Sequence, residues 1–303
     1  MASEQAEAMK ALIIAFRDGV VAQPGHVPTV EEARAGSEAS MSMMGLMPDG
    51  VTVTDTTVAG IDALWIEPQG VPSHRVLLYL HGGGYVVLSA RSHVRLAGGI
   101  GAAAGTKVLS VDYRLAPEHP HPAAVDDAVA AYRWLLAEGY APQNIAIAGD
   151  SAGGGLTVAT LVALRDAGVP QPAAAVTLSP WVDLEGTGES MRTKADVDLM
   201  VGLEGLAEMA SQYVPGGELR APTASPLYAD LHGIAPLYIQ VGGDETLLDD
   251  STRLATRAAH AGVDVRLDVF PEMQHVFQAV LGQIPESDDA VARIGQYLHA
   301  RLG

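Results

Sequence analysis

The sequence predicts an α/β fold, a mostly parallel eight-stranded sheet flanked by helices, with additional helices above it. Three observations lead there. Short apolar or alternating runs recur at residues 51–54, 61–66, 75–80, 107–113, 144–148, 174–178, 237–241 and 265–270. Helical periodicity lies between most of them, at 91–104, 123–138, 153–167, 249–261 and 286–302. One strand pattern passes straight into a helix pattern through Gly149-Asp150-Ser151-Ala152-Gly153, a run of small residues suited to a tight turn.

Two segments stand outside this alternation. Residues 3–19 carry Met9, Leu12, Ile13 and Phe16 at helical spacing, with Gly19 as a stop. Pro24 and Pro28 break the chain, and residues 31–44 then read as a second helix. That helix runs into the Met-rich stretch 41–47, and Pro48-Asp49-Gly50 is a turn. The second segment, 185–222, holds no strand signal, but 199–213 place Leu203, Leu206, Met209 and Tyr213 on one helical side. Both segments read as a lid. The expected division is residues 1–48 as N-terminal helices of a cap, 49–184 as the first part of the core, 185–222 as a cap insertion and 223–303 as the second part of the core.

Composition narrows the function classes. Hydrophobic residues are 48% of 303, enough for a sizeable core. Lys and Arg total 18 against 36 Asp and Glu, a net charge of −18 that opposes nucleic acid and anionic membrane surfaces. Cysteine is absent, which excludes disulfides, thiol chemistry and cysteine-ligated metal. Residues 1–18 lack the apolar core and cleavage site of a signal peptide, and no run reaches the roughly 18 apolar residues of a membrane span. The expected location is cytoplasmic, and a homodimer is compatible with the sequence.

The chemistry concentrates in two strings. Gly149-Asp150-Ser151-Ala152-Gly153 is G-x-S-x-G between a strand and a helix, the context of an exposed nucleophilic serine. His81-Gly82-Gly83-Gly84-Tyr85 follows another strand, and glycines there let backbone N–H groups face an anion. Gly83, Gly84 and Ala152 are the expected oxyanion donors, Ala152 with the added dipole of a helix N-terminus. Asp150 is expected to be a buried residue holding this turn and the glycine loop in register.

A serine nucleophile needs a base and an orienting carboxylate, here in the order Ser, acid, His. His260 and His299 fall within helices, and His232 precedes a strand at the wrong end of the sheet. His275 follows the last strand by a short turn and is the expected base. Asp244 follows a strand after Gly242-Gly243 and is the expected acid, with Glu245 its competitor. Asp249 and Asp250 suit the start of the next helix. Tyr85, Met43, Met44, Leu203 and Val276 are the expected substrate-pocket residues. Gly99-Ile100-Gly101 lies within a helix and serves close packing better than a dinucleotide. Glu118-His119-Pro120-His121 lacks the companion ligands of a metal site.

Together these strings resemble the hormone-sensitive-lipase-like branch of the α/β-hydrolases, the bacterial carboxylesterases with HGGG and GDSAGG. The likeness extends to Asp112-Tyr113-Arg114-Leu115-Ala116-Pro117-Glu118, to residues 243–249 and to Met273-Gln274-His275, and so covers about residues 75–280. It departs at Val276, where many relatives place glycine. The resemblance implies an α/β-hydrolase fold with a helical cap, no metal or organic cofactor, and hydrolysis of small neutral esters of short to medium chain. A lactone hydrolase with the same triad is the alternative. A non-catalytic small-ligand receptor on this fold is a remoter one, opposed by the presence of both Ser151 and His275.

Overall fold

The computed structural model describes residues 2–20 and 29–303. The side chain of Phe16 and the expected breaks at Pro24 and Pro28 lie outside that description. Among the described residues the strands are β1 (Val51–Val58), β2 (Ile61–Pro68), β3 (Val76–Leu80), β4 (Lys107–Val111), β5 (Ile145–Asp150), β6 (Ala174–Leu178), β7 (Leu237–Gly242) and β8 (Val265–Phe270). The helices are α1 (Glu4–Val20), α2 (Val30–Met41), α3 (Val94–Ala104), α4 (Ala123–Ala137), α5 (Ala152–Asp166), α6 (Ser190–Thr193), α7 (Leu203–Tyr213), α8 (Leu248–His260) and α9 (Pro285–His299).

The strands form one sheet in the order β1-β2-β4-β3-β5-β6-β7-β8. The first two pairings are antiparallel and the rest are parallel. Sequence explains the split. β3, β5, β6 and β7 are buried along their whole length, as strands covered by helices on both faces must be. β1 and β2 are joined by Ala59-Gly60, both with positive φ (52° and 84°), the two-residue turn whose twist suits a hairpin. The glycine run in α3 is a packing device. A Cβ on Gly99 would stand 2.1 Å from Leu281 Cδ2, and one on Gly295 in α9 would stand 2.5 Å from Ala103 O.

Register brings the chemistry to one edge. Leu80 pairs with Gly149, Asp150 with Leu178, Leu178 with Gln240 and Gly242 with Phe270. The chain therefore leaves β3, β5, β6, β7 and β8 along one rim, carrying residues 81–85, 151, 179, 243–245 and 271–276 with it.

The remaining helices pack on that side, and the N-terminal ones are consistent with a cap. Ala6 of α1 is buried with Phe270, Met273, Phe277, Val280 and Ile284, and Ser3 donates to Glu286. α2 opens on a capping box between Thr29 and Glu32, which sets its start at Val30. Its Arg34 donates to Glu118, Val86 O and Ala116 O. α7 buries Leu206, Ala210 and Tyr213. It begins at Leu203 and not at 199, because the N–H of Leu199 goes to Gln274 Oε1 and those of Met200 and Val201 go to Asp198 Oδ1. No helix among the described residues is long and apolar enough to cross a membrane.

Candidate active site

Ser151 sits between β5 and α5 with φ 53° and ψ −120°, a conformation that costs energy outside glycine. The turn holds it there. Ser151 N donates to Leu178 O, while Gly155 N and Trp181 N donate to Ser151 O. Glycine is required on either side: a Cβ on Gly149 would stand 2.3 Å from Gly153 O, and one on Gly153 2.0 Å from Leu80 O. The hydroxyl of Ser151 makes no hydrogen bond among the described residues, and the residue is partly exposed.

The glycine loop lies beside this turn because β3 pairs with β5. Gly83 and Gly84 have φ of 108° and 62°. Val86 N and Val87 N donate to Gly83 O and close the loop. The N–H groups of Gly83, Gly84 and Ala152 meet no acceptor among the described residues. Asp150 joins the two segments as expected. Its Oδ1 accepts from Gly82 N at 3.1 Å and from Tyr79 OH at 2.7 Å, and a Cβ on Gly82 would stand 2.2 Å from Oδ2.

His275 follows β8, and its Nδ1 lies 2.9 Å from Glu245 Oε2. Glu245 is the partner, not Asp244, and the expectation for Asp244 is corrected here. The turn after β7 explains why. Gly243 N donates to Phe270 O and Asp244 N to Met273 O, so this turn runs along the histidine loop. Glu245 then points inward and is fully buried, its Oε1 accepting from Ser179 Oγ and Gly242 N. Asp244 points outward to Lys194 at 3.3 Å and Lys10 at 3.8 Å, cations from the end of α6 and from α1. The second acid candidates are also placed: Asp249 bonds Ser190, and Asp250 accepts from Val182 N and Asp183 N.

Burial pulls the His275 pKa down, but the hydrogen bond and charge of Glu245 outweigh it, helped by the charges of Asp198 and Asp150. The net result lies above the ordinary histidine value. The influence of Asp150 places the imidazole in the field of the Ser151 turn. Its Nε2 has no hydrogen-bond partner among the described residues. Such a ring can take a proton from a nearby hydroxyl and hand it on.

Sequence reasoning missed Ser179, Asp198 and Gln274. Ser179 leaves β6 between serine and acid, donates to Glu245 and accepts from Val276 N. Asp198 accepts from Thr246 N and Oγ1, next to the acid. Gln274, next to the base, binds both Leu199 N and Val197 O. Ser179 and Asp198 belong to no local motif, and although Gln274 stands in the string at 273–275, its role, like theirs, arises only where separate loops meet.

The expected pocket residues divide. Met44 and Val276 line a narrow cavity of about 30 Å³ together with Met9, Ile13, Met200 and His275. Val276 holds the left-handed conformation (φ 50°) that glycine adopts at no cost. Met43 and Leu203 are exposed, and neither borders this cavity. Tyr85 is fully buried, stacked on Tyr213 with ring centroids 3.8 Å apart, and presents no face to a ligand. Met209, outside the expected set, lies against the glycine loop: its Sδ stands 2.0 Å from where a Gly84 Cβ would be. The motif at 118–121 is engaged structurally, Glu118 by Arg34 and His121 Nε2 by Thr223 Oγ1.

A family model described as alpha/beta hydrolase fold matches residues 77–279. The chain is 48% identical, with a TM-score of 0.94 and full coverage of both chains, to the crystal structure of an esterase from the bacterial hormone-sensitive lipase family. It belongs to that family. Among curated proteins it is similar to an acetyl-hydrolase of Streptomyces hygroscopicus, 45% identical over 86% of this chain and 85% of that one. It is also 33% identical to an esterase of Acinetobacter venetianus, over 82% of each chain. This hormone-sensitive-lipase-family hydrolase therefore carries its serine, histidine and glycine loop on the α/β-hydrolase sheet, with N-terminal helices consistent with a cap.

Proposed function

We propose that this esterase cleaves uncharged carboxylic esters of short to medium acyl chain through an acyl-enzyme on Ser151. The observation that carries the reading is the His275–Glu245 pair, buried beside a strained turn whose serine hydroxyl is uncommitted. His275 Nε2 takes the proton of Ser151 as its oxygen attacks the ester carbonyl. Glu245 holds the ring in the tautomer with a proton on Nδ1 and stabilises the imidazolium. The oxygen that becomes negative is received by the free N–H groups of Gly83, Gly84 and Ala152. The imidazolium returns its proton to the leaving alcohol, and water then attacks the acyl-enzyme by the same route in reverse.

The residues above Ser151 support a small neutral substrate. Met209 over Gly84 and the methionines beside His275 make apolar walls, and the chain's net charge of −18 disfavours anions. Similarity to an acetyl-hydrolase points the same way. Residues 1–48 and 185–222 act as the cap that holds these walls. The test is Ser151→Ala with hydrolysis of p-nitrophenyl acetate and butyrate followed. The expected loss is about 10⁴-fold or more in kcat with the melting temperature unchanged. Retention of a tenth of the activity removes Ser151 from its role.

A further inference from the structure

Behind the glycine loop lies a second buried set of titratable groups. His93 immediately precedes α3, and its ring is completely enclosed. Its two nitrogens both face acceptors: Nδ1 lies 3.0 Å from Ser89 O, and Nε2 lies 3.3 Å from Asp150 Oδ2. A carbonyl and a carboxylate each accept only, so with the Ser92 hydroxyl turned to Ser89 O both nitrogens are set to donate, the arrangement of an imidazolium. Ser92 Oγ, 3.2 Å from Nδ1, gives its own hydrogen to Ser89 O and meets the ring with a lone pair.

His81 is the contrasting case. Its ring lies 5.6 Å from that of His93, its Nδ1 donates to Gly82 O at 2.7 Å and its Nε2 has no partner among the described residues. Burial, with the neighbouring His93 charge, lowers its pKa to about 3, so it is neutral. The other ionisable groups facing His93 are Asp150, Tyr79, whose hydroxyl donates to Asp150, and Glu38 of α2. Burial pulls His93 down, but the charge and hydrogen bond of Asp150, then Ser89 O and Glu38, lift it above the ordinary histidine value. Burial likewise pushes Asp150 up, and His93, together with the Tyr79 hydroxyl and His81, more than reverses it.

One carboxylate thus spans the two halves of the site. Asp150 is joined by one peptide bond to Ser151, and its Oδ1 holds the N–H of Gly82, next to Gly83. We propose that His93 is a positioning residue for the reaction: its buried positive charge fixes the Asp150 carboxylate on Gly82, and so keeps the Gly83 and Gly84 N–H groups aimed at the substrate oxygen at Ser151. The proposal rests on the hydrolytic reading of Ser151 and the glycine loop. A buried ion pair recovers little more than its own desolvation, so the gain is geometric. The donors it aligns act on charge that develops in the transition state, so the effect falls on kcat and hardly on KM. As pH rises through the raised His93 pKa the ring loses its proton, the anchor weakens and kcat falls.

The test combines a variant with a direct reading of the ring. His93→Gln keeps one N–H donor and removes the charge. Its kcat, expressed per Ser151 titrated with a fluorophosphonate so that unfolded protein is not counted, is expected to drop about 10–100-fold. KM stays within about twofold, and the alkaline decline of kcat disappears. In the parent protein, ¹⁵N NMR of the histidines is expected to show both His93 nitrogens protonated at neutral pH. A neutral His93 ring, or a variant with unchanged kcat and pH profile, overturns the proposal. Absence of fluorophosphonate labelling at Ser151 in the parent would instead remove the hydrolytic reading, and the positioning role with it, whatever the ring nitrogens show.

Discussion

Glu245 offers one oxygen to His275 and the other to Ser179 and Gly242, and water reaches neither. Asp244 spends its charge on two lysines at the cap margin. Substitution separates them. Glu245→Gln presents an N–H or a carbonyl where a carboxylate is needed, and is expected to lower kcat by about 10³–10⁴. Asp244→Asn breaks ion pairs with partial solvent access and is expected to cost less than about tenfold. The reverse order in steady-state kinetics would return the acid role to Asp244. The same pair sets the pH response. Only neutral His275 accepts the serine proton, so kcat/KM rises with pH as the ring loses its proton. Glu245 holds that proton more tightly than water does, so the midpoint lies above the ordinary histidine value. The residual activity of Glu245→Gln is expected to show the midpoint moved down. The sign for stability is parallel: the pair's contribution is full below the ordinary histidine value and is lost as pH rises through the folded one.

At the scale of elements, the β5–α5 turn tolerates no side chain where Gly153 meets β3. Gly153→Ala drives a Cβ to 2.0 Å from Leu80 O and 2.4 Å from His81 O, both backbone atoms that cannot swing away. Overpacking of this kind is expected to cost about 3 kcal/mol or more, read as a melting temperature roughly 5 °C lower. On the proposed reading, the helices outside the sheet govern choice of substrate. Met44 meets the loop at His275, and Met209 covers Gly84, whereas Met43 is largely in solvent. Met44→Ala and Met209→Ala are each expected to move the acyl-length optimum of kcat/KM upward from about two to eight carbons, by opening apolar volume. Met43→Ala is the control and should leave the profile where it was. A shift in the control alone would place the acyl chain on the other side of α2.

For the whole molecule, 36 acidic against 18 basic residues surround a site walled largely by methionine, isoleucine, valine and phenylalanine. Long-range repulsion then acts on any anionic substrate and is screened by salt, while a neutral ester feels neither. The expected result is that kcat/KM for a neutral acetate ester is flat between low and high ionic strength. For an ester of similar size carrying a carboxylate it is lower and rises with added salt. Equal salt dependence for the two would mean that the field at the site mouth is not set by net charge.

The serine, the histidine and the glycine loop were legible in the sequence because each is demanded locally. A strand that must turn sharply into a helix needs Gly149 and Gly153, and a loop that exposes its N–H groups needs Gly83 and Gly84. Their order along the chain, set against the alternation of strands and helices, places all three at one rim. The acid was not legible, because Asp244 and Glu245 share the same turn and differ only in which way they leave it. The pocket residues were only partly legible for a similar reason: composition marks a segment as apolar but does not say which methionine faces the site. Ser179, Asp198 and His93 were out of reach, since their partners lie 66, 48 and 57 residues away. The sequence by itself determined the fold class and the meeting of Ser151, His275 and the glycine loop at one rim, because backbone geometry and periodicity are local constraints. The tertiary structure alone decided which carboxylate orients His275, which cap residues stand over Gly84, and which buried charges meet at Asp150, because these depend on side-chain direction and on packing between distant segments.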